Sequence, residues 1–460
     1  MKAVLINPNL GDLEMLSIKR KVPPLSLAYI ASLLRKDDID AEIIDANAHG
    51  IDSKSDFWKG LKADVFVITT SPIDTWQCPH LDISQIRHIV KRIRQGNPSS
   101  RIIINGPHGT TDPEKVIGLL GDVIVVRNEP ERTTSGILSL MKNDLPYKHV
   151  AGISFTEKGR IINNKGINTS ESCLDDLPIP AYDLLPMDRY KYVLMGKNFS
   201  IMETSRGCPY RCSFCLKVMY PQSYKMRKKE DIITELKELT EAYGVKNVEF
   251  IDLEFCVNRK RIMDLCRAIT LSGIKFRWAM STRLSSVDSR MLNEMAKAGC
   301  CLVQYGLESG SERILDSLNK DIPLETALKA VRETKKAGIR TLLYLMVGSP
   351  GEEEDDINRT ITVLKRLSPD YISVTAATPY PGTRFHERLC KDSQQHNFCS
   401  SRDGIGMLAK KRIRKVYLSF YLDPNHIISE LSAIRSFRDL RTIISGFFAY
   451  FVPLLKKTID

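Results

Sequence analysis

The chain has 460 residues, of which 43% are hydrophobic, and its formal net charge is +12 at pH 7. This length predicts two or three domains, and the apolar fraction excludes a wholly disordered chain. The charge alone would permit a nucleic-acid or anionic-lipid partner, but ten basic and four acidic residues lie between Lys410 and Asp460, a net of +6 in one short stretch. The start, MKAVLINPNL, lacks the pattern of an export leader, and the 11 cysteines are scattered, so we expect reduced thiols in the cytoplasm.

Short β-branched runs alternate with helical patterns over residues 2–141. They predict strands at 3–8, 41–46, 64–71, 101–107 and 122–127, and helices at 25–34, 83–93 and 113–119. Strands separated by helical crossovers indicate a doubly wound, Rossmann-like parallel sheet that is covered on both faces. Ligands of such sheets bind beyond the carboxyl ends of the strands. The candidate residues at that edge are Asn7, Thr70, Ser71, Gly106, His108 and Glu129.

A predicted hairpin, 152–155 and 161–163, and a proline-rich connector follow this region. The βα pattern then restarts, with six strands predicted at 201–204, 245–251, 276–281, 302–307, 341–347 and 371–377. Six consecutive βα units favour a partial (β/α)6 TIM-like barrel. We therefore predict four regions: an N-terminal domain over 1–145, a hairpin and connector over 146–195, a barrel over 196–390, and a helical, basic C-terminal extension over 391–460.

Three cysteines are grouped in the loop that follows the first barrel strand. Cys208, Cys212 and Cys215 have the spacing C-x3-C-x2-C. Iron–sulfur clusters need thiolate ligands, and a tight loop lets three of them converge on one cube. One iron then has no protein ligand and can bind a substrate or cofactor, as the open position of a catalytic metal site does.

The cysteine triplet is open to two alternative interpretations. A structural zinc site would want a fourth Cys or His nearby, and the loop has none. Three small buried residues could also lie close together by chance. The position after a barrel strand, where βα-loops carry function, favours a catalytic cluster over both.

Residues 204–215, including the aromatic Phe214 just before the third cysteine, resemble the cluster-binding motif of the radical S-adenosylmethionine (SAM) superfamily. The resemblance implies a [4Fe–4S] cluster whose unique iron chelates the amino and carboxylate groups of SAM. It also implies that reduction yields a 5′-deoxyadenosyl radical, which abstracts a hydrogen from the substrate. An external electron donor such as flavodoxin or ferredoxin is implied as well.

The ends of the other barrel strands also match this family. The candidate SAM-binding residues there are Asp252, Glu254, Ser281, Arg283, Glu308 and Gly348. The chemistry agrees without the family, because carboxylates accept hydrogen bonds from ribose hydroxyls and an arginine pairs with a carboxylate. Glu308 taken alone could equally be a salt-bridged acid of the core.

The N-terminal half extends the resemblance to radical SAM enzymes that carry a cobalamin-binding domain. The matching stretches are 23–31, 105–108 and 177–186. The Asp-x-His-x-x-Gly motif with which other proteins ligate cobalt is absent, as is usual in this subfamily. A Rossmann-like domain that has lost its cofactor is therefore the alternative, and His108 could cap a turn as easily as contact a corrin.

The C-terminal region combines a basic stretch, 410–415, with an apolar run, 443–455, that is too short to span a membrane. One interpretation is a basic helix and a helix packed on the barrel, and the other is an interfacial element resting on anionic lipid. No nucleic-acid partner is expected, because the extra N-terminal cluster cysteines of the tRNA-modifying methylthiotransferases are missing.

The function expected from these features is reductive cleavage of SAM at the cluster. With cobalamin, the enzyme would then methylate an unactivated carbon of a small-molecule or lipid substrate. Two alternatives stay open. One is a cobalamin-assisted radical cyclase, oxidase or rearrangement enzyme, and the other is a non-catalytic protein that senses cobalamin.

Overall fold

The computed structural model describes residues 1–10, 20–166, 173–220, 224–392 and 407–432. The chain divides into two compact units. Among the described residues, the first contains 1–10, Lys21–Arg189 and Cys215–Met226, and the second contains Arg20, Tyr190–Phe214 and those from Arg227 to Ser432.

The first unit is built on a seven-stranded sheet. Its strands are β1 (Lys2–Asn7), β2 (Asp40–Asp45), β3 (Val65–Thr69), β4 (Arg101–Asn105), β5 (Ile124–Val126), β6 (Ile153–Glu157) and β7 (Arg160–Asn163), in the order β2-β1-β3-β4-β5-β6-β7. The first five pair in parallel and the last two are antiparallel. The helices are α1 (Leu25–Lys36), α2 (Ala46–His49), α3 (Phe57–Gly60), α4 (Ser84–Gly96), α5 (Pro107–Thr111), α6 (Pro113–Leu120) and α7 (Pro130–Lys142).

Hydrophobic periodicity explains how these helices join the sheet. In α4 the buried residues are Ile86, Ile89, Val90 and Ile93, which form one stripe at helical spacing. They pack in a single core with the β-branched residues of the strands. The predicted parallel sheet of five strands is confirmed.

The hairpin β6–β7 differs from expectation, because it belongs to this sheet rather than to the connector. Val125 pairs with Ser154 and Val126 with Ile153, so the hairpin covers the edge of β5. The sequence predicted the hairpin from its turn and its alternation. Neither signal says which sheet edge a hairpin will join, since that choice depends on contacts remote in the chain.

The second unit contains six parallel strands in consecutive order. They are β8 (Phe199–Met202), β9 (Asn247–Phe250), β10 (Arg277–Thr282), β11 (Cys300–Glu308), β12 (Arg340–Val347) and β13 (Tyr371–Ala376). The connecting helices are α8 (Lys229–Glu241), α9 (Arg259–Ser272), α10 (Ser289–Lys297), α11 (Glu312–Ser317), α12 (Leu324–Lys336) and α13 (Glu354–Leu367). This is the predicted partial (β/α)6 arrangement. Because all six strands run the same way, the loops at their carboxyl ends lie on one rim.

Three further helices follow β13, namely α14 (Arg384–Asp392), α15 (Met407–Tyr421) and α16 (Pro424–Ser432). Helix α15 covers the edge of β13: the Tyr417 hydroxyl accepts a hydrogen bond from the Val374 N–H at 3.0 Å, and the Tyr421 hydroxyl accepts one from the Ile372 N–H at 3.3 Å. Edge-strand N–H groups that would otherwise face solvent are thereby satisfied.

The basic stretch 410–415 lies in this packed helix. Lys415 Nζ lies 2.5 Å from a Glu354 carboxylate oxygen, and Ile413 and Val416 are buried. This agrees with the interpretation of 410–415 as part of a helix on the barrel. The apolar run 443–455 lies outside the described residues. Within the described ranges, no helix combines the length and the apolar character that crossing a bilayer requires.

Candidate active site

The cysteine loop begins directly beyond β8, on the rim formed by the carboxyl ends of the barrel strands. Cys208, Cys212 and Cys215 are partly exposed and are not joined in disulfides. Just before the loop, Arg206 forms a buried ion pair with Glu203, with its Nη2 atom 2.7 Å from a carboxylate oxygen. Two charges taken out of water together in this way anchor the start of the loop.

Asp252 holds the same segment from the neighbouring strand. One of its carboxylate oxygens accepts hydrogen bonds from the main-chain N–H groups of Thr204 and Ser205, at 2.7 and 2.6 Å, and the other accepts one from the Thr204 hydroxyl. Burial raises the pKa of Asp252, whereas the nearby Arg261 charge and these hydrogen bonds act in the opposite direction. Asp252 therefore orders the backbone that leads to the cysteines.

The middle of the cysteine loop is held by main-chain hydrogen bonds to residues that follow later strands of the barrel. The Ser213 N–H donates to the Leu318 carbonyl at 3.0 Å, and the Ser213 carbonyl accepts from the Phe385 N–H at 3.0 Å. Phe214 packs in a small apolar cluster that includes Leu318 and Phe385. The aromatic residue singled out by the sequence thus fixes the loop through packing.

Glu254 orders the loop that follows β10, in the same way that Asp252 orders the backbone leading to the cysteines. Its carboxylate accepts hydrogen bonds from the Thr282 hydroxyl at 2.5 Å and from the Arg283 N–H at 2.8 Å. Burial raises the pKa of Glu254, and the hydrogen bonds from the Thr282 side chain and the Arg283 backbone oppose that shift. Ser281, the other candidate in this loop, is only partly buried at the end of β10.

Arg283 reaches back to the cysteine loop. Its Nη1 atom lies 3.5 Å from Cys212 Sγ, and its guanidinium carbon lies 4.2 Å from the centre of the Tyr210 ring. Its Nη2 atom donates to the Asp321 carbonyl at 3.3 Å. The predicted rim arginine is therefore beside the thiols.

Glu308, at the end of β11, is salt-bridged. Lys320 Nζ lies 2.8 Å from its Oε1 atom, and both side chains are buried. A Cβ atom at Gly306 would lie 2.5 Å from each of these two charged atoms, so only glycine leaves room for the pair. Lys320 Nζ also lies 5.9 Å from the centre of the Phe214 ring. The salt-bridged alternative left open for Glu308 describes its place in the structure.

Gly348, at the end of β12, has φ +91°, a conformation that L side chains rarely adopt. Its N–H donates to Glu352 Oε2 at 2.6 Å. Burial raises the pKa of Glu352, and the Gly348 N–H and the Arg412 charge oppose that shift. The conformation at Gly348 thus turns the chain so that its amide meets a carboxylate of the following loop.

A second charged network lies on the strands below the rim. Arg20 contacts both carboxylate oxygens of Glu249 in β9, at 2.9 and 2.8 Å, and Gln304 Nε2 donates to the same carboxylate at 2.8 Å. The Tyr344 hydroxyl donates in turn to Gln304. Sequence reasoning missed this network, because the residues that contact each other directly in it lie as many as 229 positions apart in the chain.

The donor set of the cysteine loop fits an iron–sulfur cluster better than a single ion. Across the described ranges, no three or more His, Cys, Asp and Glu side chains are grouped tightly enough to hold one metal ion. In a cubane each thiolate binds a different iron, so its ligands need more space than those of a single ion. Three partly exposed thiols in one loop, with a cationic N–H donor at one of them, suit that larger group.

The first unit has a separate candidate edge at the carboxyl ends of β3 and β4. Gly106 has φ +113°, and a Cβ atom there would lie 2.5 Å from Thr70 Oγ1. The Asn105 amide and the Thr70 hydroxyl are fully buried, and neither has a side-chain hydrogen-bond partner within the described part of the chain. Buried polar groups of this kind normally bind something, so this cradle fits a polar ligand such as cobalamin.

His108 follows this cradle. Its Nε2 atom lies 2.5 Å from the His80 carbonyl oxygen, which can only accept, so Nε2 carries the proton. Burial lowers the pKa of His108 to about 4, which keeps the ring neutral near pH 7. Its Nδ1 lone pair has no partner among the described residues.

The remaining candidates of this edge are engaged in local contacts. Asn7 donates to Asp45 at 2.9 Å, the Ser71 hydroxyl lies 2.8 Å from that of Thr75, and Lys225 Nζ lies 2.8 Å from Glu129. These bonds stabilise the loops around the cradle. They neither assign the residues to a ligand nor remove them from one.

Two family models match separate parts of this chain. The model of the radical SAM superfamily matches residues 202–364, and the model of the B12-binding domain matches residues 13–137. A protein of Pyrococcus horikoshii named an uncharacterized methyltransferase is 33% identical over 451 residues, covering 94% of this chain and 95% of its own. The chain belongs to the radical SAM superfamily, among the members that also carry a B12-binding domain.

A more distant relative and two solved structures also match this chain. The anaerobic magnesium-protoporphyrin IX monomethyl ester cyclase of Cereibacter sphaeroides is 24% identical over 85% of this chain and 64% of its own. The radical SAM methyltransferase TsrM of Kitasatospora setae, solved with cobalamin and a [4Fe–4S] cluster, matches 85% of this chain and 78% of its own, with a TM-score of 0.70 and 17% identity. The cobalamin-dependent radical SAM enzyme OxsB, solved with cobalamin and SAM, matches 98% of this chain and 72% of its own, with a TM-score of 0.71 and 18% identity.

These matches confirm the predicted fold class and the predicted membership of the B12-binding radical SAM enzymes. They also confirm the expected cofactors, which are a [4Fe–4S] cluster, SAM and cobalamin. The individual site residues stay predictions. Sequence reasoning did not single out Lys320, Glu203 or Glu249. The signal for Glu203 and Glu249 would have been a charged residue within an otherwise apolar strand, whereas Lys320 lies in a polar stretch that gives no such signal.

Proposed function

We propose that this protein methylates an unactivated carbon of a small-molecule substrate, with SAM as the methyl source and cobalamin as the carrier. The observation that carries the proposal is the presence of two built sites in one chain. One is the ordered cysteine loop with Arg283 at Cys212, and the other is the cradle of buried, unpartnered polar atoms at Asn105 and Thr70. The relative named a methyltransferase, aligned over nearly the whole chain, supports methylation.

We assign the cluster to Cys208, Cys212 and Cys215 and cobalamin to the cradle around Gly106. When bound, the cluster supplies the electron that cleaves SAM, and cobalamin supplies methyl transfer. The protein's own part is to position the cofactors and the substrate and to exclude water from them. Asp252 and Glu254 hold the backbone of two rim loops, and the buried Lys320–Glu308 pair holds the end of β11 beside Phe214.

For the domains, we propose that residues 1–145 bind cobalamin and that 196–390 form the catalytic barrel. The segment 146–195 would supply the hairpin of the first sheet and then the connector, and 391–460 would form an extension on the barrel. We further propose a cytoplasmic enzyme that receives electrons from a flavodoxin or ferredoxin. The pairing of the basic helix α15 with the barrel favours a small molecule over a membrane-borne lipid as substrate.

The first experiment tests the cofactors and SAM cleavage. The chain is purified without oxygen and reconstituted with iron, sulfide and cobalamin, and its iron, sulfide and corrinoid contents are measured together with 5′-deoxyadenosine formed from SAM under reducing conditions. We expect Cys212→Ala to lose 5′-deoxyadenosine formation while keeping a folded barrel by circular dichroism. Cys266→Ala is the matched control, because Cys266 is a buried core thiol of α9. Retained formation in Cys212→Ala would refute the cluster assignment.

The second experiment separates methylation from its alternative. The magnesium-protoporphyrin cyclases among the relatives favour, as a second candidate, a cobalamin-assisted cyclisation without methyl transfer. Reconstituted enzyme is incubated with SAM labelled in its methyl group and with a small-molecule extract, and products are separated by mass. A methylated product carries the label. An unlabelled product that forms only with active enzyme would favour the cyclase, and absence of 5′-deoxyadenosine throughout would favour a cobalamin-sensing protein.

A further inference from the structure

Arg283 occupies an unusual position for a residue expected to bind SAM. Its side chain is buried, and its guanidinium group contacts a cysteine sulfur and a main-chain carbonyl. Nη1 points to Cys212 Sγ at 3.5 Å, which is within hydrogen-bond distance for a sulfur acceptor.

Other contacts restrain the Arg283 guanidinium, so that it stays beside Cys212. The face of the guanidinium lies over the Tyr210 ring, with 4.2 Å from its carbon to the ring centre, and Nη2 donates to the Asp321 carbonyl. The backbone N–H is fixed by Glu254 at 2.8 Å. A cation with such restraints acts on its neighbour as a permanent charge, since an arginine does not lose its proton in proteins.

A fixed positive charge and an N–H···S hydrogen bond both act on an iron–sulfur cluster. Adding one electron makes the cluster and its thiolates more negative, so a nearby cation stabilises the reduced form more than the oxidised form. Net charge, hydrogen bonds to the sulfurs and solvent exposure are the factors that set such potentials. Burial of Arg283 strengthens the effect, because water screens the charge less there.

We propose that Arg283 is a positioning residue for the cluster: through Cys212 it raises the reduction potential, so that a cellular donor can deliver the electron that SAM cleavage requires. This proposal rests on the cluster assignment of the proposed function. It also revises the expected role of Arg283, because Nη1 already contacts Cys212 and Nη2 already donates to the Asp321 carbonyl.

The test compares variants of the full chain, reconstituted without oxygen and without SAM. The midpoint potential of the one-electron couple is measured by potentiometry followed by electron paramagnetic resonance. We expect a more negative midpoint for Arg283→Gln, a smaller shift for Arg283→Lys, and no shift for the control Arg259→Gln, which removes an exposed arginine paired with Asp288. An unchanged midpoint in Arg283→Gln at full iron content overturns the proposal.

SAM affinity provides the second readout, measured by calorimetry on the same preparations. The proposal expects Arg283→Gln to bind SAM within about twofold of the wild type, whereas a direct contact with the SAM carboxylate would make the loss tenfold or more. A tenfold loss with an unchanged midpoint would return Arg283 to a SAM-binding role.

Two further outcomes are distinguishable. If Arg283→Gln assembles no cluster, Tyr210→Leu takes its place, since it keeps the charge but removes the ring that holds it. A negative shift smaller than that of Arg283→Lys is then expected, and no shift overturns the proposal. If wild-type protein itself shows no cluster signal, the proposed function has failed rather than the role of Arg283.

Discussion

Replacing Asp252 with alanine should disconnect the cysteine loop from the barrel. The carboxylate accepts from two main-chain N–H groups, those of Thr204 and Ser205, at 2.7 and 2.6 Å, and from one hydroxyl. A buried donor left without a partner costs about 1–3 kcal/mol, so the two N–H groups together account for about 2–6 kcal/mol. The expected loss of unfolding free energy for Asp252→Ala is therefore about 2–6 kcal/mol.

Iron content and thermal unfolding measure this effect. A loss of that size corresponds to a decrease in Tm of roughly 4–24 °C, at about 2–4 °C per kcal/mol. We also expect iron per chain after reconstitution to fall at least twofold, because the backbone before Cys208 is no longer held. Asp252→Asn should keep both properties near wild type, since an amide oxygen can still accept from the two N–H groups and its NH2 can donate to the Thr204 hydroxyl.

The matched control is Asp370→Ala. Asp370 accepts from the N–H and the hydroxyl of Thr341, both at 2.8 Å, at the amino end of β12 rather than on the rim. This variant should lose stability in the same way while keeping its iron. If Asp252→Ala retained full iron and full SAM cleavage, the reasoning that Asp252 orders the loop would be refuted.

Three other predictions follow from the site. Lys320→Met leaves the buried Glu308 carboxylate unpaired and should lower the unfolding free energy by about 3–5 kcal/mol. Adding Glu308→Gln to this variant should restore most of that loss. Calorimetry of the single and double variants measures both effects, and equal losses in the two variants would contradict the pairing. The pKa of His108 is lowered from 6.5 to about 4, so as pH falls the unfolded chain binds a proton at this residue before the folded chain does. The folded state therefore loses stability as pH falls from about 6.5 to about 4, by at most about 3 kcal/mol. The difference in Tm between wild type and His108→Gln should change across that pH range and stay constant above it. Gly106→Ala should reduce corrinoid retention at least tenfold, because the added Cβ would lie 2.5 Å from Thr70 Oγ1 at a φ of +113°. Normal retention, measured by corrinoid absorbance, would disprove that cobalamin binds at this cradle.

Much of the architecture could be predicted because it is encoded locally. The strands and helices of both units repeat apolar residues at spacings of two or of three to four, and each element needs only its own stretch of chain to show that pattern. The edge joined by the hairpin β6–β7 was not predictable in this way. Pairing of Val125 with Ser154 depends on how the whole sheet assembles, and the turn at Lys158 carries no information about it.

The rim candidates show the same division. Their positions after the strands could be identified, but their partners could not. Asp252 and Glu254 were expected to face the cofactor, and the structure shows their carboxylates bound to the backbone of neighbouring loops. A carboxylate at a strand end looks the same in a sequence whether it binds a ribose or an amide N–H, because both are hydrogen-bond donors.

By itself, the sequence determined the repeating βα pattern, the presence of two ligand-binding regions and the three thiols of the cluster loop, since each of these depends on residues close together in the chain. Tertiary structure alone decided which charges meet: Asp252 and Thr204 are 48 positions apart, and Arg283 and Cys212 are 71 apart. Electrostatic and hydrogen-bond energies fall off over a few ångströms of space, whatever the separation along the chain. The roles of the rim side chains therefore follow from how the barrel brings its loops together.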